Sequence, residues 1–481
     1  MNSEDTNDLN LSEISILTDT FKSIGDSIRI ELDQRIKDYS SSLLYKYYNN
    51  LFYFLPKSYL IEIKDNNHVG YQITPDQQFF IEDKKNNNSL VFTPRLETTI
   101  APVKDIQTKQ VNESTVSLTL DFEHSFEYDY FTVWINPQFS KFHKYEADFI
   151  LNELLNNKPS DIFAKVMFKG GNLAIKKIQL SSLKYQLKPI EQTIAKIHAS
   201  PITFGFNVKI ENLFSYRSDE VEQIELILKL DMQAYHEEYI GSLFKINLLP
   251  IFNSYDDYSY SVYTNNLLSQ IKLRHDQDKH AIPISVLSIY ENNRKVEFNN
   301  FFFKGQNEYY LNLSTQSLDY NVVLPNLGSK VIDTKIHTYT CWTQNIDVSE
   351  FIEISSSVVS SFKCKLTPIS FYNEKQNFKQ SSTDIFDLID KLVSNSIFSK
   401  ATFESILKVL QADSNDIQLL LELISDIEVD ILTNKLVIIT SQKYSKKHYF
   451  FIEFMVKVIC RFINKNSFNF IKELVINEPE R

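Results

Sequence analysis

Hydrophobic positions change their period twice along this chain. From Leu11 to Asp38 they recur every three to four residues, with Ile14, Leu17, Phe21, Ile24 and Ile28 on one face and charged residues on the other, which predicts an amphipathic helix. A second, aromatic-rich helix is predicted over Ser41–Phe54, where Leu43, Leu44, Tyr47, Tyr48 and Leu51 make a stripe too wide for a solitary surface helix, and Pro56 ends it. Such a pair either packs on its own β domain or bundles with another subunit. From Tyr59 the period shortens to two. Leu60–Ile63, Leu90–Phe92, Val116–Phe122, Phe131–Ile135 and Ala164–Phe168 read as strands between Asn, Asp and Pro turns. Lys169-Gly170-Gly171-Asn172 reads as a hairpin turn, because Gly and Asn tolerate positive φ. One helix, Phe142–Asn156, interrupts these strands, with Phe149, Ile150, Leu154 and Tyr145 as its inward candidates.

A further strand-rich region runs from Pro201 to Gln344, clearest at Ile224–Leu230, Phe244–Leu249, Ile284–Tyr290 and Tyr309–Leu313. Residues 373–383 are the most linker-like stretch. Helices then return over Asp384–Asn395, Thr402–Ala412 and Asp416–Ile424, with Ser382 or Thr383 predicted to cap the first and Ser414 or Asn415 the third. A strand, Leu436–Thr440, precedes a terminal helix striped by Phe450, Phe451, Phe454, Met455, Val458 and Phe462, a pattern that reads as core packing. No period of about 20 to 50 residues repeats, which argues against a solenoid or propeller. The prediction is an α+β chain with an N-terminal helical pair (1–58), two β-rich middle domains (59–200 and 201–345) and a C-terminal mixed helical domain (346–481).

Composition narrows the function classes. At 481 residues with 43% hydrophobic and 13% aromatic residues, the chain has material for several cores. Only 8 glycines are present, which argues against Gly-rich cofactor loops and leaves turns to Asn, Asp, Ser and Pro. The abundance of Asn, Lys, Ile, Tyr and Phe looks like AT-rich coding. A net charge of −11 disfavours nucleic acid and anionic membrane as partners, since both need clustered cations. The acidic start MNSEDTNDLN lacks a secretory signal pattern, and no uncharged apolar run of about 18 residues predicts a membrane-inserted helix. Cys341, Cys364 and Cys460 are widely spaced and fit a reducing compartment, so a cytoplasmic location is expected.

Six clusters are candidates for chemistry or recognition. Arg274-His275-Asp276-Gln277-Asp278-Lys279-His280 gathers metal-ligand types, but a His pair at i, i+5 does not share a helix face, and a hydrated loop is the simpler reading. Glu237-Glu238 and Asp256-Asp257 offer paired carboxylates, although adjacent acids normally point apart. Cys341 has His337 four residues away without a signposted orienting acid. Tyr255, Tyr258, Tyr260 and Tyr263 could form a recognition loop, and Lys443, Lys446, Lys447 and His448 are a local reversal of charge. No nucleophile-elbow, zincin, P-loop or dinucleotide fingerprint occurs. The expectation is a non-enzyme with no catalytic residue, cofactor or metal.

Several segments, taken in order, resemble the TssF (VasA/ImpG) family of type VI secretion baseplate components. Phe450–Glu473 is similar to that family's hydrophobic helix, Asn-Ser-Phe and second amphipathic segment. Phe21–Leu60 resembles its helix, aromatic helix and proline turn. Ser89–Thr93 with Pro94-Arg95, then Ile100–Val103, resemble its Phe-Arg-Thr and Leu-x-Pro strands, and Phe131–Leu155 its strand-then-helix unit. In Phe244–Asn253, Pro250 and Asn253 match a family strand, while Ser254 and Tyr255 replace the usual Leu-Phe. Ile284–Tyr290 and Tyr339–Ile346 resemble two further segments, the latter without its arginine. The family's opening helices are missing, so a divergent, trimmed member is expected.

The resemblance implies a structural wedge subunit that links spike, sheath and membrane complex at the cytoplasmic face of the bacterial inner membrane. In that family two copies of the subunit join a TssG-like subunit, around a VgrG-like spike with a sheath-initiating TssE-like subunit and TssK-like adaptors. Partners expected on this basis are a second copy, these four proteins, no nucleic acid and no direct membrane insertion. Leu17, Phe21, Ile24 and Ile28 are the candidate partner-interface residues. The alternative is a β-rich glycan- or partner-binding effector exported by such a system.

Overall fold

The computed structural model describes residues 22–23, 25–29, 56–64, 70–83, 88–124, 126–187, 189–213, 220–230, 237–264, 270–299, 309–314, 319–324, 334–344, 352–356, 365–372, 384, 387–388, 390–391, 399–430, 434–441, 445–465 and 473–477. The protein is α+β, and it divides into two compact units. The first takes Met1–Asn49, Tyr260–Leu273 and Ser288–Thr338, and the second takes the rest.

In the first unit a sheet runs Gln270–Lys272, Asp319–Val323, Tyr309–Ser314, Phe298–Asn299, the last pair parallel. Residues 289–291 turn back on Arg294–Val296 through Asn292 and Asn293, both at positive φ, the geometry of a two-residue hairpin loop. Asn292 donates its backbone N–H to Lys335 O and accepts Lys335 N on Oδ1. The His337 ring stacks on Tyr290 at 5.1 Å.

The second unit is organised by an eight-stranded sheet in the order Phe244–Ile246, Tyr130–Ile135, Gly205–Ile210, Leu173–Ser182, Phe163–Phe168, Val221–Lys229, Thr115–Phe122, Val103–Asn112. Alternation decides its faces. Val116, Leu118, Leu120, Ala164, Val166, Ile224, Leu226 and Leu228 are all buried in one core with Ile150, Leu151 and Leu154 of the helix Lys144–Leu155, as expected for a sheet with one packed face. The hairpin over 169–172 is present, with Gly170 and Gly171 at positive φ. Strands from both sides of residue 200 share this sheet.

The helix expected over 142–156 is present as Lys144–Leu155, and a short helix not expected from the sequence, Pro137–Phe142, precedes it across His143. Asn136 caps the short helix by accepting Gln138 N, with proline at the first helical position. The strand expected over 244–249 is broken at Asn247, whose φ of 56° sends Phe244–Ile246 into the large sheet and Leu248–Phe252 into another. The Asn247 amide grips the Ala101 backbone from both sides, accepting its N–H at 2.9 Å and donating to its O at 2.7 Å. That second sheet, Leu248–Phe252, Ser58–Lys64 and Lys365–Tyr372, places Pro250 on an edge strand, where its missing N–H costs no ladder bond.

The C-terminal part holds Lys400–Val409 and Ser414–Leu423, then the sheet Ile424–Asp430, Lys435–Thr440, Glu473–Asn477. Asp413, not Ser414 or Asn415, caps the second helix, accepting Asn415 N at 2.8 Å. Ser382, Thr383 and the 373–383 stretch lie outside the described residues. Lys435–Thr440 and Glu473–Asn477 are parallel, and the terminal helix Lys446–Lys465 is the crossover such a pair requires. All six residues of its predicted stripe are buried. Phe450 packs on Phe149 at 4.5 Å, and Phe451 and Phe454 meet Tyr145 edge-on at 5.0 and 5.3 Å.

His198, at the end of the helix Pro189–His198, meets Leu410 O at 3.0 Å beyond the end of Lys400–Val409. Burial lowers its pKa from the ordinary 6.5, against the opposing effect of that hydrogen bond. The unfolded chain therefore takes up this proton first as pH falls. Stability from His198 is complete above pH 6.5 and is lost as pH falls from there towards its folded pKa. Urea unfolding of His198→Gln across that range will show a shallower pH dependence than the parent.

Candidate functional site

Three segments singled out in the sequence, 89–95, 250–256 and 341–344, meet in one buried polar node of the second unit. Its centre is Asn253, fully buried. Asn253 Oδ1 accepts Thr343 Oγ1 and Gln344 N, each at 2.7 Å, and its Nδ2 donates to Val91 O at 3.2 Å and Gln344 Oε1 at 3.3 Å. Gln344 continues the network: Oε1 accepts Val91 N at 2.7 Å, and Nε2 donates to Asp278 Oδ2 at 2.6 Å. Thr93 donates to Ser254 O at 2.6 Å, and a backbone bridge pairs Thr93 with Phe252.

Arg95 closes the node on one side. Its φ of 54° is unusual for a residue with a Cβ, and its side chain is held on three partners. It donates to both Asp256 oxygens at 2.9 and 3.3 Å, to Ser254 Oγ at 3.0 Å and to Cys341 Sγ at 3.2 Å. Burial works against the guanidinium charge, and Cys341 and Asp256 outweigh it. A planar five-donor fork suits this arrangement and an ammonium does not.

The candidate chemical groups are absorbed here as structure. Asp256 belongs to Arg95, while Asp257 is exposed and reaches His275 Nε2 at 3.3 Å. Adjacent carboxylates thus serve different partners rather than one reacting centre. In the 274–280 loop, His275 Nδ1 accepts Asp278 N at 2.9 Å and its ring lies edge-on to Trp342, while Asp278 accepts Tyr255 OH at 3.2 Å as well as Gln344. The loop is pinned through the very groups that suggested metal binding. Among the described residues no group of three His, Cys, Asp or Glu is poised to hold an ion. Tyr255 is buried and is no part of an exposed recognition loop, whereas Tyr258, Tyr260 and Tyr263 are exposed. Glu237 and Glu238 lie in a short 3₁₀ segment.

Burial pushes the Cys341 thiol up to about 12 despite Arg95, and pushes Cys460 up to about 12 as well. A thiol so placed is a poor nucleophile. Iodoacetamide at pH 8 will leave both unmodified in the folded protein and alkylate both in urea, as read by peptide mass mapping.

Of the partner-interface candidates, Leu17, Phe21 and Ile24 lie outside the described residues. Ile28 is helical and 54% exposed. Lys446, Lys447 and His448 of the basic cluster form the first turn of the terminal helix, the two lysines exposed and the histidine half-buried, and Lys443 lies outside the described residues. Among the described residues no helix is long and apolar enough to cross a membrane.

No family model matches the chain, and no curated protein matches it. Among solved structures, a chain of the type VI secretion system TssK-TssF-TssG baseplate subcomplex, seen by cryo-electron microscopy, matches 97% of this chain and 96% of its own length, with a TM-score of 0.63 and 10% identity. The two chains share one fold. At 10% identity the likeness is one of architecture, and it extends over both units rather than one domain. The family resemblance read in the sequence and this likeness name the same assembly.

Proposed function

We propose that this protein is a structural wedge subunit of a type VI secretion baseplate, acting through its interfaces rather than through catalysis. The observation that carries the reading is the near-complete coverage of both chains in the fold likeness, which leaves little of the chain outside the shared architecture to support a different activity. The polar node adds to it, because the carboxylates, histidine and thiol at the node have structural partners. On this reading the partners are a second copy, a TssG-like subunit and a TssK-like adaptor, with the VgrG-like spike and TssE-like subunit beyond them, at the cytoplasmic face of the inner membrane. A baseplate of this kind works by switching many interfaces between two packings.

The N-terminal helix is the proposed partner-binding element. Changing two of Leu17, Phe21, Ile24 and Ile28 to Asp will abolish recovery of a TssG-like subunit with the tagged chain while leaving the circular dichroism of its β content unchanged; undiminished recovery would refute the assignment. Isolation of the tagged protein from its own cell, with masses and stoichiometry, tests the whole reading. TssG-like and TssK-like subunits at two copies of this chain per TssG-like subunit are the expected result. The exposed Tyr258, Tyr260 and Tyr263 favour the second reading, an exported binding protein, which recovery of the chain alone from the culture medium would support.

A further inference from the structure

In the second unit, the helices Lys144–Leu155 and Pro189–His198 and the terminal helix leave a cavity of about 240 Å³ over the edge of the 3₁₀ turn Ser200–Thr203. Its wall is divided between apolar side chains, among them Leu151, Leu155 and Phe252, and a polar set containing Gln192, Lys196 and Arg461. The charges there do not balance. Lys196 Nζ is 2.9 Å from Asp148 Oδ1, and Asn152 Nδ2 donates to Asp148 Oδ2 at 2.8 Å, so both oxygens of the carboxylate that acts on Arg461 are engaged. Among the described residues Arg461 makes no ion pair. Among the described residues its one hydrogen-bond acceptor is the neutral Gln192 Oε1, at 2.6 Å. Gln192 is itself aimed by its Nε2, which donates to Leu187 O at 3.1 Å and Tyr185 O at 3.4 Å. A guanidinium carries five donors, and burial lowers its pKa while Asp148 only partly opposes that.

We propose that this cavity is a carboxylate-binding site, in which Arg461 and Lys196 receive the acid group and the leucine and phenylalanine wall receives a short apolar stem. The fork of Arg461 matches a carboxylate in the two-bond geometry that Gln192, a single acceptor, does not fill. Two cations against one carboxylate leave room for one negative charge. A monoanion is therefore matched, whereas a phosphate dianion would bury a second charge without a partner. The acid can come from a free small molecule or from a Glu or Asp side chain of another protein, since both present the same group.

The test is calorimetric titration of the full chain with pentanoate, with pentanamide as the neutral isostere and inorganic phosphate as the competing anion. Pentanoate binds, pentanamide does not, and phosphate binds more weakly. Arg461→Gln weakens pentanoate by at least about tenfold, the loss of one charge-assisted bidentate contact. Should that variant fail to fold, Gln192→Leu carries the test, because it releases the guanidinium without changing charge and must also alter pentanoate affinity. No pentanoate binding, equal binding of pentanamide, tighter binding of phosphate, or unchanged affinity in the folded variants would each overturn the site. Repeating the titration on the complex isolated from cells identifies the source and alone rests on the proposed assembly: lost binding marks a partner's side chain in the cavity, and retained binding marks a free acid.

Discussion

Phe454→Ala will lower the unfolding free energy by about 3–5 kcal/mol, the range for truncating a fully packed aromatic. The reason lies in what the ring joins. Phe454 is 2% exposed, sits edge-on to Tyr145 at 5.3 Å, and has the Lys144 ammonium 5.5 Å from its centre. Lys144 also lies over Tyr145 at 4.9 Å, and Tyr145 OH donates to Asp416 Oδ2 at 3.0 Å. One side chain therefore ties the helix Lys144–Leu155 to the terminal helix and, through Tyr145, to Ser414–Leu423. Burial lowers the Lys144 pKa against the opposing charge of Asp416, so removing the ring face above it leaves a partly desolvated cation with less compensation. Phe454→Leu keeps most of the volume and will cost about 1–2 kcal/mol. Urea midpoints and slopes, followed by tyrosine fluorescence, separate these outcomes from a change in the unfolded state. Equal loss for Leu and Ala would show that the edge-on geometry, not volume, carries the effect.

Asn253→Ala will cost about 3 kcal/mol or more, because it strands several buried groups at once. Thr343 Oγ1, Gln344 N and Val91 O each lose a partner, and an unsatisfied buried group costs about 1–3 kcal/mol. Water cannot easily reach a side chain that is fully buried. The effect should be strongly non-additive with Gln344→Ala, since the Asn253 amide donates directly to Gln344 Oε1 within one network. A double-mutant cycle on the purified chain measures this directly; simple additivity would show that the segments are held together by their strand pairing alone.

The same node shows where sequence reasoning reaches its limit. Asn253, Pro250 and the 89–95 and 339–346 segments attract attention one by one, but the contacts that join them span 90 to 253 positions, and no local period records such a pairing. The terminal stripe is legible because six apolar side chains at helical spacing admit only one face. The helix Pro189–His198 has isoleucines at 190, 194 and 197 in helical spacing but is only ten residues long, too short for one period to stand out, and the strand Glu473–Asn477 is invisible because a parallel partner is fixed by a crossover, not by a turn. Asn247 divides a continuous apolar run, since hydrophobicity does not encode the sign of φ. The charge imbalance around Arg461 is likewise hidden, as Asp148, Lys196 and Arg461 come from three helices.

Of the seven non-glycine residues at positive φ among the described residues, five are asparagines: Asn212, Asn247, Asn292, Asn293 and Asn434. Only Gly170 and Gly171 do the same among the described glycines. Asparagine is among the side chains that visit this region at least cost. In a chain with only 8 glycines, asparagine thus carries most of the described turns that need a left-handed backbone, and each of these side chains brings an amide that glycine would not.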